Sequence, residues 1–251
     1  MRVAIISDIH GNLPALEAVL AEIRRLGVDF VACTGDIVGY GPWVVECVQM
    51  VRDRCRYVVK GNHDDGLIYV VNNFESADVL EDDFNPEATE ALKFAALRFG
   101  RSDLQWLNDL PEMVVCSELS MSIAHGSFSP PYLHEYVLTV EAAKYQLLRI
   151  DTVFGVMGHS HLVGVFIIDL ARAGSGAHIF DAGERFLVNA GSVGQPRDGN
   201  PQASFVIINA LSDGRHKVEL RRVDYDIDVC AMKIVHEGLP GWNAFRLKLG
   251  M

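Results

Sequence analysis

The sequence predicts an α/β fold in which two packed β-sheets carry helices on their outer faces. Over roughly the first hundred residues, short apolar runs alternate with helical patterns, as is typical of parallel strands joined by crossover helices. From about Met113 onward, short apolar runs follow one another between turn residues. The sequence shows no low-complexity linker, internal repeat or break in composition, so we expect a single domain over residues 1–251.

Three strands and several helices are predicted in the first half of the chain. The strands are the apolar runs at residues 2–7, 30–35 and 56–61. Apolar side chains recur at helical spacing over residues 13–27, with Pro14 in the first turn and Gly27 as a stop signal. Further helices are predicted at residues 44–54, after the cap at Asn85-Pro86, and from a cap at Ser102.

The second half is predicted to consist mainly of short strands. They lie at residues 112–126, 153–159, 164–171, 177–181, 185–191, 203–211 and 216–223. One helix is predicted near Val140–Arg149. The cluster Gly174-Ser175-Gly176 predicts a hairpin tip.

The charge balance excludes several classes of partner. Lys and Arg number 22 against 33 Asp and Glu, which gives a formal net charge of −11. Such an acidic surface repels a phosphate backbone and anionic lipids, so we expect neither a stable nucleic-acid complex nor membrane association. The sequence does not determine the oligomeric state, and a homo-oligomer stays open.

Targeting and cysteine patterns favour a cytoplasmic protein. The opening apolar run is too short for a signal-peptide core, and no run approaches the ~18 apolar residues of a membrane span. The five cysteines are an odd number without a C-x-x-C pair. We therefore expect reduced, packed thiols rather than disulfides or a zinc site.

Polar clusters follow five of the predicted strands, at positions where a core has no need of them. Because the carboxyl ends of strands in α/β sheets gather ligand and catalytic groups, we expect these side chains to meet at one edge. The candidate residues are Asp8, His10, Asp36, Asn62, His63, His125, His159 and His161.

This mixture of imidazole, carboxylate and amide oxygen suits a borderline divalent metal ion. In extended chain, residues i and i+2 share a face, so Asp8 is expected to align with His10, and His159 with His161. Asn62 and His63 are neighbours and should point in opposite directions. Eight candidates exceed one ion's needs and suit two ions that share a bridging carboxylate.

Five ordered motifs resemble those of the calcineurin-like metallophosphoesterase superfamily. They are Asp8-Ile9-His10, Gly35-Asp36 with Gly41, Gly61-Asn62-His63-Asp64, His125-Gly126 and Gly158-His159-Ser160-His161. Residues 189–208 and 224–250 further resemble the compact prokaryotic phosphodiesterase and phosphatase branch of that superfamily. The resemblance implies a four-layer α/β/β/α sandwich of two mixed sheets flanked by helices. We expect a helical cap at about 67–104, and a strand-plus-helix tail at about 216–251.

The resemblance also assigns roles to the candidates. It implies one ion on Asp8, His10, Asp36 and His161, and a second on Asp36, Asn62, His125 and His159, with Asp36 as the bridge. His63 would contact the phosphate and protonate the leaving oxygen. In the protein-phosphatase branch an acidic residue orients this histidine, but that position is Gly39 here. Asp64 or a backbone carbonyl is the alternative partner.

Three further residues are candidate substrate contacts, each with a structural alternative. Asn12 is expected to cap the first helix, whose N-terminus could also hold an anion. Arg197 either binds a substrate phosphate or pairs with Asp198. Tyr40 either lines the pocket or packs against it.

The predicted function is that of a metal-dependent hydrolase of phosphoric esters. A metal-bridging hydroxide would attack the phosphorus of a small phosphodiester or nucleotide-like ester. Two divalent transition-metal ions are the expected cofactors, manganese first, with iron, nickel, cobalt and zinc as alternatives. The competing functions are a nuclease, and a non-catalytic scaffold that binds metal or partner proteins at the same rim.

Overall fold

The chain alternates strands and helices up to residue 108 and then forms mainly strands up to residue 223. The computed structural model describes residues 1–73, 84–129, 134–167, 170–173 and 176–251. The first part contains β1 (Arg2–Ile6), α1 (Leu13–Leu26), β2 (Phe30–Cys33), α2 (Val44–Arg54), β3 (Tyr57–Val58), α3 (Asn62–Asn72), α4 (Pro86–Ala96) and α5 (Arg101–Asn108). The second part contains β4 (Met113–Cys116), β5 (Met121–Ala124), α6 (Val140–Leu147), β6 (Phe154–Met157), β7 (Val163–Ile167), β8 (Leu170–Ala173), β9 (Gly176–Phe180), β10 (Phe186–Ala190), β11 (Ala203–Ala210), β12 (His216–Val223), α7 (Ile227–His236) and α8 (Gly241–Leu247).

The strands form two mixed six-stranded sheets. The first has the order β3-β2-β1-β11-β12-β9, in which β1, β2 and β3 are parallel and the other pairings are antiparallel. The second has the order β4-β5-β6-β10-β7-β8, in which β5, β6 and β10 are parallel. Each sheet therefore carries three parallel strands whose carboxyl ends point the same way.

Side-chain alternation along the strands separates the layers. In β1, Val3 and Ile5 pack into the core between the two sheets, whereas Ala4 and Ile6 pack against the helices that include α1 and α2. This period of two is the geometry of a strand buried on both faces. On the far side, α6 packs on the second sheet through Ala143 and Leu147. The predicted arrangement of two mixed sheets flanked by helices is confirmed.

Several local predictions need correction. The strand predicted at 112–126 is two strands, β4 and β5, joined by a short 3-10 helix at Ser117–Leu119. Residues 164–171 likewise include parts of β7 and β8, with 168–169 outside the described residues. Residues 174–175 of the predicted hairpin tip also lie outside them, and the flanking strands β8 and β9 belong to different sheets.

Four helices in the described residues begin at a side-chain cap, supplied by Asn12, Asn85, Thr139 and Asp226. Asn85 caps α4 as predicted, because its Oδ1 accepts a hydrogen bond from the Ala88 backbone N–H at 2.8 Å. The predicted cap at Ser102 is wrong, since α5 begins at Arg101 and its N-cap residue is Gly100. No helix among the described residues is long and apolar enough to cross a membrane.

The segments predicted as a cap and a tail are mostly helical in the described residues. Residues 67–104 include the end of α3, all of α4 and the start of α5, and 74–83 lie outside the description. Residues 216–251 form β12, α7 and α8. The two tail helices pack together around Cys230, Ile234 and Leu247, and Ala91 of α4 joins that cluster.

An aromatic stack joins the two sheets. The ring of Phe186 in β10 lies 4.0 Å from that of Phe180 in β9 and 4.7 Å from that of Phe154 in β6, measured between centroids. Phe186 is completely buried. Because β9 belongs to the first sheet and β6 and β10 to the second, this stack fixes the sheets against each other.

Truncating the centre of this stack should destabilise the whole fold. We expect Phe186→Ala to lower the free energy of unfolding by about 3–5 kcal/mol, through lost burial and the cavity left behind. Ile179→Ala, at a largely exposed position of β9, should change it by less than about 1 kcal/mol. Urea unfolding monitored by circular dichroism would measure both, and similar small losses in the two variants would contradict the role assigned to the stack.

Candidate metal centre

The eight candidate residues lie together at one edge of the molecule, called the rim below, where the carboxyl ends of the parallel strands of both sheets meet. Asp8 and His10 follow β1, Asp36 follows β2, and Asn62 and His63 begin α3 after β3. From the second sheet, His125 follows β5, and His159 and His161 follow β6. Asn62 is partly exposed, and the other seven are buried.

The backbone at this rim is strained. Five of the candidates have φ angles between 50° and 67°, in the left-handed region that residues other than glycine seldom adopt: Asp8, His10, Asp36, His159 and His161. Each such residue costs of order 1–3 kcal/mol, which the surrounding structure has to offset. Strain concentrated on five candidate ligands indicates that their placement serves a site rather than the packing of the core.

Three residues form a first group of donors. The Nε2 atoms of His10 and His161 lie 3.2 Å apart. The Oδ1 atom of Asp8 lies 3.2 Å from His161 Nε2 and 3.8 Å from His10 Nε2. All three atoms are therefore close enough to bind one metal ion.

A second group forms around His125. Its Nε2 atom lies 3.1 Å from Asn62 Oδ1, 3.2 Å from His159 Nδ1 and 3.3 Å from Asp36 Oδ2. An imidazole pair, an amide oxygen and a carboxylate thus converge on one point.

Asp36 connects the two groups through a single oxygen. Its Oδ2 lies 3.3 Å from His125 Nε2 in the second group and 3.6 Å from His10 Nε2 in the first. Its Oδ1 points away and accepts the backbone N–H of His63 at 2.8 Å. Asp36 is the carboxylate in a position to bridge two ions.

Three of the four histidine rings in the two donor groups are oriented by backbone carbonyls. The Nδ1–H of His10 donates to Val38 O at 3.0 Å, that of His125 donates to Thr34 O at 2.8 Å, and that of His161 donates to Gln195 O at 2.6 Å. A neutral ring held in this way presents the lone pair of Nε2 to the centre, as metal-binding histidines commonly do. For His125, burial acts to lower the pKa but Asp36 raises it to about 9, so a metal ion bound there has to displace a proton from Nε2. His159 differs, because its Nδ1 faces the centre and its Nε2 has no hydrogen-bond partner among the described residues.

The electrostatics of the site fit a bound cation. Asp8 Oδ1 is buried without a hydrogen-bond partner among the described residues, although Oδ2 accepts from Ser7 Oγ and the His159 backbone N–H. Burial alone would raise the pKa of Asp8, but His161 holds it below its usual value. Burial lowers the pKa of His10 and of His161, so both rings favour the neutral form that can bind a metal.

The pair His159 and His161 shows why the same-face expectation fails. Both residues have positive φ angles, so the chain between them is not extended. Their side chains diverge: His161 contacts Asp8 and His10, whereas His159 contacts His125. The two histidines thus belong to different donor groups.

His63 lies beside the first group. Its ring is 4.7 Å from the ring of His10 and 4.8 Å from that of Tyr40, and its Nδ1 is buried and unpartnered among the described residues. Burial lowers the pKa of His63 to about 4, with Asp36 acting in the opposite direction. A Cβ atom on Gly39, where φ is 104°, would lie 2.5 Å from His63 Nδ1, so this ring occupies space that only glycine leaves free.

Asp64 does not orient His63, contrary to one of the two alternatives. Its carboxylate accepts backbone N–H groups from Gly61, Asp36, Ile37 and Val38 at 2.9–3.2 Å. Asp64 therefore shapes the loop that carries Asp36. The other alternative also fails for Nδ1, which contacts no backbone carbonyl among the described residues.

The candidate substrate contacts occupy different positions. Asn12 is buried and caps α1 through the Ala15 N–H, while its amide donates to Gly194 O and Tyr225 Oη. All of its polar atoms are thereby engaged, which favours the capping role.

Arg197 and Tyr40 lie together at the mouth. Arg197 Nη2 contacts Tyr40 Oη at 3.4 Å and Gln195 Oε1 at 3.0 Å. Asp198, its alternative partner, pairs with Arg222 instead. Tyr40 is almost fully buried and its ring packs on those of His10 and His63, which favours the packing role.

Sequence reasoning missed several supporting residues. The ring of Tyr136 stacks on His159 at 4.2 Å, and His134 lies 5.8 Å from His125, although neither belongs to a motif. Gln195 holds His161 through its backbone carbonyl, which carries no side-chain signal in the sequence. The sequence signal for this loop is the resemblance of residues 189–208 to the compact prokaryotic branch of the superfamily.

Known proteins resemble this chain over most or all of its length. A 33% identical metallophosphoesterase from Sphaerobacter thermophilus superimposes with a TM-score of 0.85 and full coverage of both chains. An uncharacterized protein of Methanocaldococcus jannaschii is 35% identical over 99% of this chain and 98% of its own length. A symmetrical bis(5′-nucleosyl)-tetraphosphatase of Sodalis glossinidius is 31% identical over 53% of this chain, a match that spans 45% of the relative's length.

A family profile matches the part of the chain that contains every candidate ligand. The profile describes the calcineurin-like phosphoesterase superfamily domain and matches residues 1–213. The predicted resemblance is confirmed: this chain belongs to the calcineurin-like phosphoesterase superfamily.

Proposed function

We propose that this protein is a hydrolase that cleaves a phosphoric ester of a small molecule with the help of two divalent metal ions. The observation that carries the proposal is the pair of buried donor groups that share Asp36 Oδ2. Family membership supports phosphoester chemistry, and the donor geometry supports the metal dependence.

The ligand sets follow from the two groups. Asp8, His10, Asp36 and His161 would hold one ion, and Asp36, Asn62, His125 and His159 the other. Bound divalent ions would polarise the phosphoryl oxygens and activate a water nucleophile at neutral pH. Mixed nitrogen and oxygen donors suit manganese, iron, cobalt, nickel or zinc, and we propose manganese first.

The role proposed for His63 is to contact the phosphate and protonate the leaving oxygen. Its ring lies next to that of His10 and on the side of the site where Tyr40 and Arg197 are found. The negative charge of a phosphate ester counteracts the effect of burial and favours the protonated imidazole. That form can donate a proton to the departing oxygen.

The charge distribution favours a small substrate. Two divalent ions outweigh the two buried carboxylates of Asp8 and Asp36, so the site would be locally positive on a chain of net charge −11. The acidic surface argues against a nuclease, which needs broad attraction to a phosphate backbone. Intact donor groups argue against a purely structural scaffold. The tetraphosphatase relatives support a nucleotide-like substrate.

Removing His63 should separate catalysis from metal binding. We expect His63→Ala to lower turnover by about 10²–10⁴-fold, the usual contribution of a general acid, with unchanged metal content. His236→Ala, at an exposed position of α7, should match the parent protein in both respects. Hydrolysis of p-nitrophenyl esters together with elemental analysis would measure this, and full turnover in His63→Ala would remove His63 from the mechanism.

Removing the shared carboxylate should affect both ions. We expect Asp36→Asn to lower the affinity for both by at least about tenfold, since even outer-shell changes cost about that much. His10→Ala should weaken mainly one ion. Asp65→Asn, a half-exposed residue of α3 paired with Lys60, is the matched control.

Titration of metal-stripped protein with Mn²⁺ would give the stoichiometry and both affinities. Two ions per parent chain, with weakened binding of both in Asp36→Asn, are expected. Equal loss of one ion in Asp36→Asn and His10→Ala would contradict the bridging role.

A further inference from the structure

Two arginine side chains from distant parts of the chain lie near the same tyrosine ring at the mouth of the site. The guanidinium carbons of Arg197 and Arg246 are each 5.8 Å from the centroid of Tyr40. Arg197 belongs to the loop after β10, whereas Arg246 belongs to α8 of the tail. The family profile ends at residue 213, so family membership assigns no role to Arg246.

Neither guanidinium is paired with an acidic side chain within the described residues. Asp198, next to Arg197 in sequence, pairs with Arg222. Arg246 donates from Nε to the main-chain oxygen of Met251, the last residue, at 2.5 Å, and no hydrogen bond within the described residues engages its two Nη groups. Burial, and then the charge of Arg197, lower the pKa of Arg246, while Tyr40 and Glu87 act in the opposite direction.

Two partly buried cations held close together are unfavourable unless an anion joins them. Guanidinium groups bind phosphate oxygens through paired hydrogen bonds, which makes arginine suited to this task. The pair therefore has the chemistry of an anion site that the fold leaves open.

The two arginines reach the candidate centre from different elements. Arg197 contacts Gln195, whose backbone carbonyl holds His161. Arg246 approaches from α8, and the Tyr40 ring that it shares with Arg197 packs on His10 and His63. Arg197 is thus one residue removed from a candidate ligand, and Arg246 reaches the same aromatic ring from the tail.

We propose that Arg246 is a specificity-determining residue that binds a second phosphate, adjacent to the one positioned at the metal centre. The substrate class is then a diphosphate or polyphosphate ester rather than a simple monoester. This inference rests on the proposed function, because the inner phosphorus carries the ester bond that the proposed enzyme would hydrolyse, with water as the nucleophile and the alcohol as the leaving group.

The position of α8 supports a binding role. Cys230, Ile234 and Leu247 of the tail pack behind Tyr40 and Gln195 around a small cavity. The Gly199 N–H donates to Gly250 O at 2.9 Å, so the end of the chain is attached to the loop that carries Arg197. These contacts fix the position of α8 relative to the loop that carries Arg197, and therefore the relative positions of the two arginines, without a ligand.

The test compares the binding of a one-phosphorus and a two-phosphorus ligand that cannot be hydrolysed. Methylphosphonate and methylenediphosphonate would be titrated calorimetrically into the metal-loaded parent protein, Arg246→Ala, Arg246→Lys and the control Lys248→Ala. We expect Arg246→Ala to weaken methylenediphosphonate binding by about tenfold or more and methylphosphonate binding by less than about twofold. Arg246→Lys should lie between, and Lys248→Ala should match the parent protein.

Equal weakening of both ligands in Arg246→Ala, or no change in either, would overturn the proposal. Thermal unfolding of each variant would show whether loss of the Met251 hydrogen bond loosens the tail, and Arg246→Lys retains the charge for comparison. Hydrolysis of p-nitrophenyl phosphate by the parent protein tests the proposed function separately. An inactive parent that still prefers the diphosphonate through Arg246 would refute the enzyme proposal alone.

Discussion

The rim of this protein is dominated by close contacts between nitrogen and oxygen atoms that present lone pairs to one another. Such atoms can accept a proton or bind a cation. His10 and His161 each donate Nδ1–H to a carbonyl, and their Nε2 atoms then face each other across 3.2 Å. On the other side, His125 Nε2 faces Asn62 Oδ1 and His159 Nδ1 at similar distances. Lone pairs repel at this range unless a proton or a metal ion lies between them, and the raised pKa of His125 shows that its Nε2 attracts such a positive charge. The strained φ angles, the glycine at position 39 and the four N–H groups on Asp64 all serve to maintain this arrangement.

The layered fold was predictable because its signals are local. Apolar runs of four to six residues and helical spacing identify β1, β2 and α1 without knowledge of their neighbours. The 3-10 helix at Ser117–Leu119 was missed, since residues 113–124 contain no Gly, Pro, Asn or Asp to mark a break, and Ser120 adopts a left-handed conformation that its sequence does not signal. The strands β8 and β9 belong to different sheets, and strand pairing of that kind depends on the core rather than on the turn residues.

The candidate site was predictable in composition and less so in geometry. Asp8, His10, Asp36, Asn62, His125, His159 and His161 all lie at the rim, because strand ends bring them there. The extended-chain argument that aligned His159 with His161 was wrong in its premise, and the left-handed backbone sends them to different donor groups. Contacts such as Gln195 O to His161 or Tyr136 to His159 join residues about 20 to 35 positions apart, and no local pattern encodes them.

The donor groups and the residues around Tyr40 come from different elements of the fold. The donors come from strand ends that two sheets and the Phe186 stack keep rigid, and rigid donors are what a fixed coordination geometry needs. The groups around Tyr40 come instead from the loop after β10 and the tail. Arg246 lies beyond the part of the chain that the family profile covers, yet shares the Tyr40 ring with Arg197. If Arg246 binds a second phosphate as proposed, the chemistry of the site and the choice of substrate would come from different parts of the chain, the first from the strand ends and the second from the tail.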